Sequence, residues 1–404
     1  MTANAYGLRL LSQPRVRIAV LVLVAVLVIA FRAVQFAALT KQIQWGYDFS
    51  AYWTAGGRLI QGDSLYTAAQ LAGPYAPQQQ FLYLYPPPLA ALAAPLAALF
   101  PTEYRAAAWV WSGLGATILI ACVLALHRSE RLGERYPILA GRGRWLLVAG
   151  AVAFPPVIGE LVLGNVHLVL LGLLTLAWLG IRRGTPLGER VAGLVVGVAA
   201  VIKVFPALLL VWFLLTRRYR ASAGVIVGAL AVGVVTLPFT GIDPWLQYPT
   251  VLANLAAPAD TTDTLAPTVW LAGPLGFTIA RIVVTVVGLA LIAWSARSLD
   301  LVRSFAVAVT VSVLIAPALY HHYLALLVLP LILALGAGVQ IRWLALAYFL
   351  MWGGQQNALG EWSWVVNRLF PTSGAIVLLA ALVTPSPRSQ RDRDYLAGAA
   401  QTVG

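Results

Sequence analysis

The sequence predicts an all-α polytopic membrane protein: a transmembrane bundle of about 10–12 hydrophobic helices, with interfacial helices in the first outer loop. Three observations point there. The 404 residues are 60% apolar and only 10% charged, where a soluble domain carries about 25% charged and 45–50% apolar residues. So little charge cannot cover a water-facing surface. Apolar runs at 20–30, 146–153, 168–181, 191–202, 224–237, 305–319 and 323–339 hold few or no charges, and several fall short of the roughly 20 residues of a full span, which predicts kinked or half-length helices. Finally, the basic residues, nearly all Arg, sit in short clusters between these runs. That is the distribution of cytoplasmic loops, so the net charge of +13 is no sign of a nucleic-acid partner.

The first run follows Arg9, Arg15 and Arg17. No small-residue cleavage site clearly follows it, so it reads as a retained helix rather than a signal peptide. Residues 41–86 then form a first outer loop. In it, residues 48–60 carry Phe49, Tyr52, Trp53 and Leu59 among small and polar residues, a pattern suited to an interfacial helix. Gly62 and Asp63 end it, and residues 83–88 make an aromatic and proline turn. Residues 87–100 and 104–126 look like two helices. Two crossings from an outer Tyr85 would leave the Arg128–Arg144 cluster outside, so either 87–100 dips in without crossing or that loop breaks the positive-inside rule. A second outer loop spans 241–266, and a polar cytoplasmic tail, 385–404, follows the single transmembrane domain of 1–384. Both termini are expected on the cytoplasmic side of the plasma membrane.

Sidedness also sorts the polar residues. Asp48, Glu160 to His167, Lys203, the loop acids Asp243, Asp260 and Asp263, the pair His321-His322 and Glu361 all fall between successive Arg clusters, hence at the outer face. About 13 residues separate Lys203 from the Arg cluster on either side, roughly 20 Å of helix against a core of about 30 Å. That places Lys203 at the bottom of an outward cavity.

Several of these residues can carry chemistry. Asp48, with aromatic neighbours near the membrane, is a candidate general base, although the same position suits a helix N-cap. Lys203 interrupts an apolar run at an insertion cost of roughly 2.5–3.5 kcal/mol; it suits a phosphate or other anion, or it snorkels to the interface. His321 and His322 can bind a metal when neutral or stabilise phosphate oxygens when charged. Adjacent residues on a helix point about 100° apart, so both need not reach one site. Glu160, Asn165 and His167 are candidates for sugar or acceptor hydroxyls, with helix capping as the alternative. Arg58 is a looser candidate, as are Arg281 and Arg368. Cys122 is the single cysteine, so no disulfide framework exists. There is no P-loop, GxGxxG, GxSxG or CxxC, so the driving force must come from a pre-activated substrate. A lipid or glycan transporter or flippase would also place charges in an outward cavity.

In order along the chain, Asp48-Phe49-x-x-Tyr52, Tyr66, Tyr85-Pro86-Pro87, Gly164-Asn165-x-His167, Ile202-Lys203-x-x-Pro206 and His321-His322 resemble glycosyltransferase family 87. These are membrane mannosyltransferases of GT-C fold that include the mycobacterial phosphatidylinositol-mannoside enzymes. The resemblance runs from Gln44 to Pro330. It implies a GT-C-like fold, and transfer of mannose with inversion from a polyprenyl-phosphate sugar to a lipid-linked or cell-envelope glycan on the outer face. It implies no cofactor and no metal. By it, Asp48 is the base and Lys203, His322 and His321 meet the donor phosphate. Tyr52, Arg58, Tyr85, Glu160, Asn165 and His167 remain for the sugar or acceptor. Two departures affect that carry-over. The family often has Gly-Gln-x-Asn where this chain has Gly164-Asn165-Val166-His167, and a Ser/Trp-rich run where it has Ala316-Pro317-Ala318-Leu319-Tyr320.

Overall fold

The computed structural model describes residues 14–73, 81–256, 264–316, 318–353 and 365–384. The expectations about Asp260, Asp263, Pro317, Glu361, Arg9 and the tail 385–404 fall outside these residues. Among the described residues every regular element is helical and none is a strand. In chain order the helices are α1 (Pro14–Leu39), α2 (Tyr47–Gln61), α3 (Ala68–Ala72), α4 (Pro87–Leu99), α5 (Tyr104–Ser129), α6 (Arg144–Ala153), α7 (Pro155–Leu163), α8 (His167–Arg182) and α9 (Pro186–Ile202). Then come α10 (Leu209–Leu215), α11 (Tyr219–Thr240), α12 (Asp243–Ala256), α13 (Pro267–Leu275), α14 (Phe277–Ser298), α15 (Leu301–Leu314), α16 (Val328–Gly336), α17 (Ile341–Leu350) and α18 (Phe370–Val383). Short helical turns link several of them.

The all-α polytopic bundle is as expected, and so are its many short helices. Among the described residues five helices are long and apolar enough to cross a bilayer, and α6 with α7, bent by 61° at Phe154, would make a sixth. The rest are shorter. The 16 residues of α8 rise only about 24 Å at 1.5 Å per residue. The expected figure of about 10–12 therefore counts broken and partial helices together with full spans.

The breaks have local causes. Pro206 would clash with the carbonyl of Ile202 four residues back and brings no N–H to bond it, and α9 ends at Ile202. Pro155 and Pro156 end α6 in the same way. Arg32 of α1 answers that break, donating from Nε to the freed carbonyl of Ala153 at 3.1 Å, while its guanidinium lies over Trp352 at 4.7 Å. Hydrocarbon offers no water to freed carbonyls, so a buried arginine fits there.

The two ends of 87–100 have definite neighbours. The helix α4 has 13 residues. Tyr85 before it meets Asn165, and the carbonyl of Phe100 after it accepts a bond from Trp53 Nε1 at 2.9 Å. Both ends of α4 thus lie toward the end of the bundle that holds Tyr85 and Asn165. The loop after α5 lies at the opposite end, where Glu130 accepts from Trp178 Nε1 at 2.8 Å and faces Arg182 at 3.7 Å. Arg218 and Glu189 pair there as well, at 2.8 Å. The arginine clusters around 128–144, 182–190 and 217–220 therefore share one end, as the positive-inside pattern requires.

The segment read as an interfacial helix is not free on a surface. Helix α2 buries Phe49, Tyr52, Ala55 and Gly56; a Cβ on Gly56 would stand 2.8 Å from the backbone of Ala94, so α2 and α4 touch along small residues. In the segment 241–266 the described residues include α12, and Asn254 donates to the carbonyls of Gln70 and Leu71 at 3.3 and 3.1 Å.

Candidate active site

The site forms at the end of the bundle opposite the arginines, where α2, α7, α8 and α9 converge. Gly46 and Gly164 set the approach. Both adopt positive φ, 67° and 66°, conformations that favour glycine. A Cβ on Gly164 would lie 2.8 Å from that of Phe49, and the N–H of Gly46 bonds the carbonyl of Val162 at 2.8 Å. The start of α2 is thereby seated against the loop joining α7 to α8. Asp48 in the first turn of α2 comes to face Asn165 in that loop.

Asn165 is fixed. Its Oδ1 accepts from the N–H of Val166 at 2.7 Å, so its amide nitrogen must face outward. From there Nδ2 donates to Asp48 Oδ2 at 2.8 Å and lies 3.3 Å from both the Tyr85 hydroxyl and His322 Nε2. His322 Nε2 also stands 3.8 Å from Asp48 Oδ2. Asp48 keeps 22% of its side-chain surface exposed, so the carboxylate is open on one side. Burial nevertheless holds its carboxyl above the usual carboxylate range, while the Asn165 bond and the charge of Lys203 pull it partly back.

Lys203 caps α9 in extended backbone. Its Nζ lies 3.0 Å from His167 Nε2, 3.8 Å from the centre of the Tyr323 ring and 5.4 Å from that of Tyr85. A cation between aromatic faces is favoured, the more so when desolvated. Behind it, His167 Nδ1 meets Glu160 Oε2 at 2.9 Å, and the backbone N–H of His167 bonds Glu160 Oε1. Glu160 thus also closes the N-terminus of α8. The His167 and His322 rings are 5.4 Å apart.

The structure therefore brings Asp48, Tyr85, Glu160, Asn165, His167, Lys203 and His322 into one cluster. Tyr52 lies at its edge; its ring meets Tyr85 edge-on at 4.9 Å, and its buried hydroxyl approaches Tyr85 without a hydrogen bond of good geometry. Two candidates are not brought in. His321 Nε2 donates to the Met351 carbonyl at 3.0 Å. Arg58 holds the Leu65 carbonyl and Gln70 at 3.3 and 3.4 Å, bracing the segment that follows α2. Tyr323, the residue after the histidine pair, supplies the face beneath Lys203. Glu160, His167 and His322 each offer a ligand atom within 4.8 Å of one another, but both ring nitrogens of His167 are engaged, by Glu160 and by Lys203. A cation bound there would have to displace the ammonium.

An acceptor-only carboxylate beside an opening and an ammonium fixed nearby suit proton removal and anion stabilisation. No curated protein and no solved structure matches the chain. The family model of Glycosyltransferase family 87 matches residues 83–317, which takes in Tyr85, Glu160, Asn165, His167 and Lys203; Asp48 lies before the matched region and His322 after it. With more than half of its length matched, this chain belongs to glycosyltransferase family 87 and is a membrane glycosyltransferase.

Proposed function

We propose that the enzyme transfers mannose, with inversion, from a polyprenyl-phosphate donor to a lipid-linked or cell-envelope glycan at the outer face of the plasma membrane. The observation that carries this reading is the meeting of Asp48 and Lys203 in one cluster, from positions far apart in the chain. Asp48 takes the proton of an acceptor hydroxyl. The freed oxygen pair attacks the anomeric carbon from the face opposite the phosphate, and the carbon–oxygen bond to the phosphate breaks with its electron pair leaving on that oxygen. Lys203 and His322 meet the charge that grows there. A fixed positive group such as the Lys203 ammonium, in a site with little water, lowers such a barrier more than it would in bulk solvent. A donor already joined to phosphate needs no nucleotide and no energy source within the protein, in keeping with a chain that has no nucleotide-binding motif.

Membranes containing the chain, supplied with radiolabelled polyprenyl-phosphate mannose, should yield labelled glycolipid or glycan. Labelling only from the glucose or arabinose analogue would overturn the sugar assignment; labelling only from a nucleotide sugar would overturn the donor class. Lys203→Ala should raise the KM for donor, and an unchanged donor KM would remove the phosphate role of Lys203.

A further inference from the structure

The buried pair behind Lys203 is not explained by contact with sugar. Glu160 is 1% exposed and His167 fully buried, whereas Asp48 and Lys203 both reach the opening. Glu160 accepts from the N–H of His167, from that of Leu168 and from His167 Nδ1. An ionised carboxylate only accepts, so the imidazole proton sits on Nδ1. That leaves the lone pair of Nε2 facing Lys203 Nζ at 3.0 Å, where it accepts from the ammonium. A carboxylate taken out of water needs a counter-charge, and this one has it across the ring. The three groups form a line: carboxylate, neutral imidazole, ammonium.

We infer that Glu160 and His167 are positioning residues, a carboxylate–imidazole relay that fixes the tautomer of His167 and so aims Lys203 at the donor phosphate. This rests on the phosphate role of Lys203 proposed above. The arrangement resembles the hydrolase triad in that a carboxylate sets a histidine tautomer, but here the ring steadies a cation instead of activating a nucleophile. The further titratable groups around Lys203 are Asp48, Tyr85, His322 and Tyr323.

Two substitutions separate the relay from a simple cap on α8. In Glu160→Gln the amide oxygen still accepts from the backbone N–H groups, so the cap survives. The amide nitrogen then faces Nδ1 and forces the imidazole proton onto Nε2, against the ammonium. In His167→Asn the shorter side chain keeps a donor at the place of Nδ1 and has no atom at the place of Nε2. Steady-state kinetics of the purified full chain should show donor KM raised on the order of 10-fold in either variant, with acceptor KM unchanged. Neither change should add to the donor KM of a Lys203→Ala background. A raised acceptor KM would show that Glu160 or His167 touches the acceptor and overturn the relay. Additive effects in the Lys203→Ala background would overturn it as well, as would a Glu160→Gln enzyme with normal donor KM while Lys203→Ala is impaired. A Lys203→Ala enzyme with normal donor KM would instead sink the phosphate assignment on which the relay depends.

Discussion

Helix α9 carries two regions built on opposite principles. Its middle is a seam of small residues. Gly193 and Gly197 face Ala221 and Val225 of α11, while Gly224 and Gly228 of α11 face Arg190 and Leu194 of α9; a Cβ on Gly197 would stand 2.2 Å from the Val225 carbonyl. Its end is Lys203, a charge at the margin of an apolar run. In a bilayer the hydrophobic effect does little to bring helices together, and close backbone packing does much of that work. The seam therefore carries stability and no chemistry. The end of the helix costs insertion free energy, and the bonds from His167 and the rings of Tyr85 and Tyr323 offset part of that cost. One helix thus shows that a fold can keep the groups that hold it together apart from the groups that react.

The sharpest test of that separation is Asp48→Asn. Asn keeps the size and can still meet Asn165, but it cannot take a proton. Transfer should fall by about 10²–10⁴-fold, the contribution of one placed base, with no loss of thermal stability. Near-normal turnover in purified protein would remove Asp48 as base and leave the cluster as a structural knot.

The two adjacent histidines test the same contrast within one dipeptide. His322 joins Asn165 and Asp48, while His321 ties the Met351 carbonyl. His322→Ala should lower turnover on the order of 10²-fold, as when one preorganised group facing developing charge is removed. His321→Ala should instead cost about 1–3 kcal/mol of stability through the carbonyl it abandons, with turnover per folded molecule nearly intact. Reversed outcomes, read by kinetics and by thermal unfolding in detergent, would exchange their roles.

This pair also marks where the sequence stops being informative. Composition and arginine spacing suffice for the bundle, and Pro206 suffices for the break that exposes Lys203. Asp48 and Lys203 stand out because each is a charge where apolar residues are the rule. Which histidine turns inward depends on the helical turn His321–Leu327 and on where the end of α17 presents a free carbonyl, and no local pattern encodes that. Glu160 and His167 read either as sugar or acceptor ligands or as helix caps, because sequence shows the residue types but not that they meet each other. The path of 87–100 was open for a similar reason: its 13 residues hint that it is too short to cross, but only the contacts of Tyr85 and Phe100 show where its ends lie.

A smaller effect is expected in the seam. Gly197→Leu forces α9 and α11 apart and should cost about 1–3 kcal/mol, typical of overpacking. Thermal unfolding should register that loss, while donor and acceptor KM of the folded fraction stay unchanged. A changed donor KM would mean that the seam and Lys203 are mechanically coupled, and the division of α9 into two independent regions would fail.

The smallest effect is a displacement along the pH axis. Asp48 acts as base only when ionised. Burial raises its pKa above the ordinary carboxylate value of about 3.9, so activity should fall, on lowering the pH, at a higher pH than a solvated aspartate would give. The Asn165 bond favours the ionised form and opposes that rise. Asn165→Ala removes it, so the acid limb of turnover should move to still higher pH, with the plateau at alkaline pH reduced only slightly. A pH–rate profile of the two enzymes measures this directly. An acid limb that moves to lower pH, or not at all, would mean that the amide of Asn165 does not stabilise the Asp48 carboxylate in the working enzyme. The reactive end of α9 would then rest on Lys203 alone to keep that carboxylate ionised, and Lys203→Ala should produce the acid-limb shift in its place.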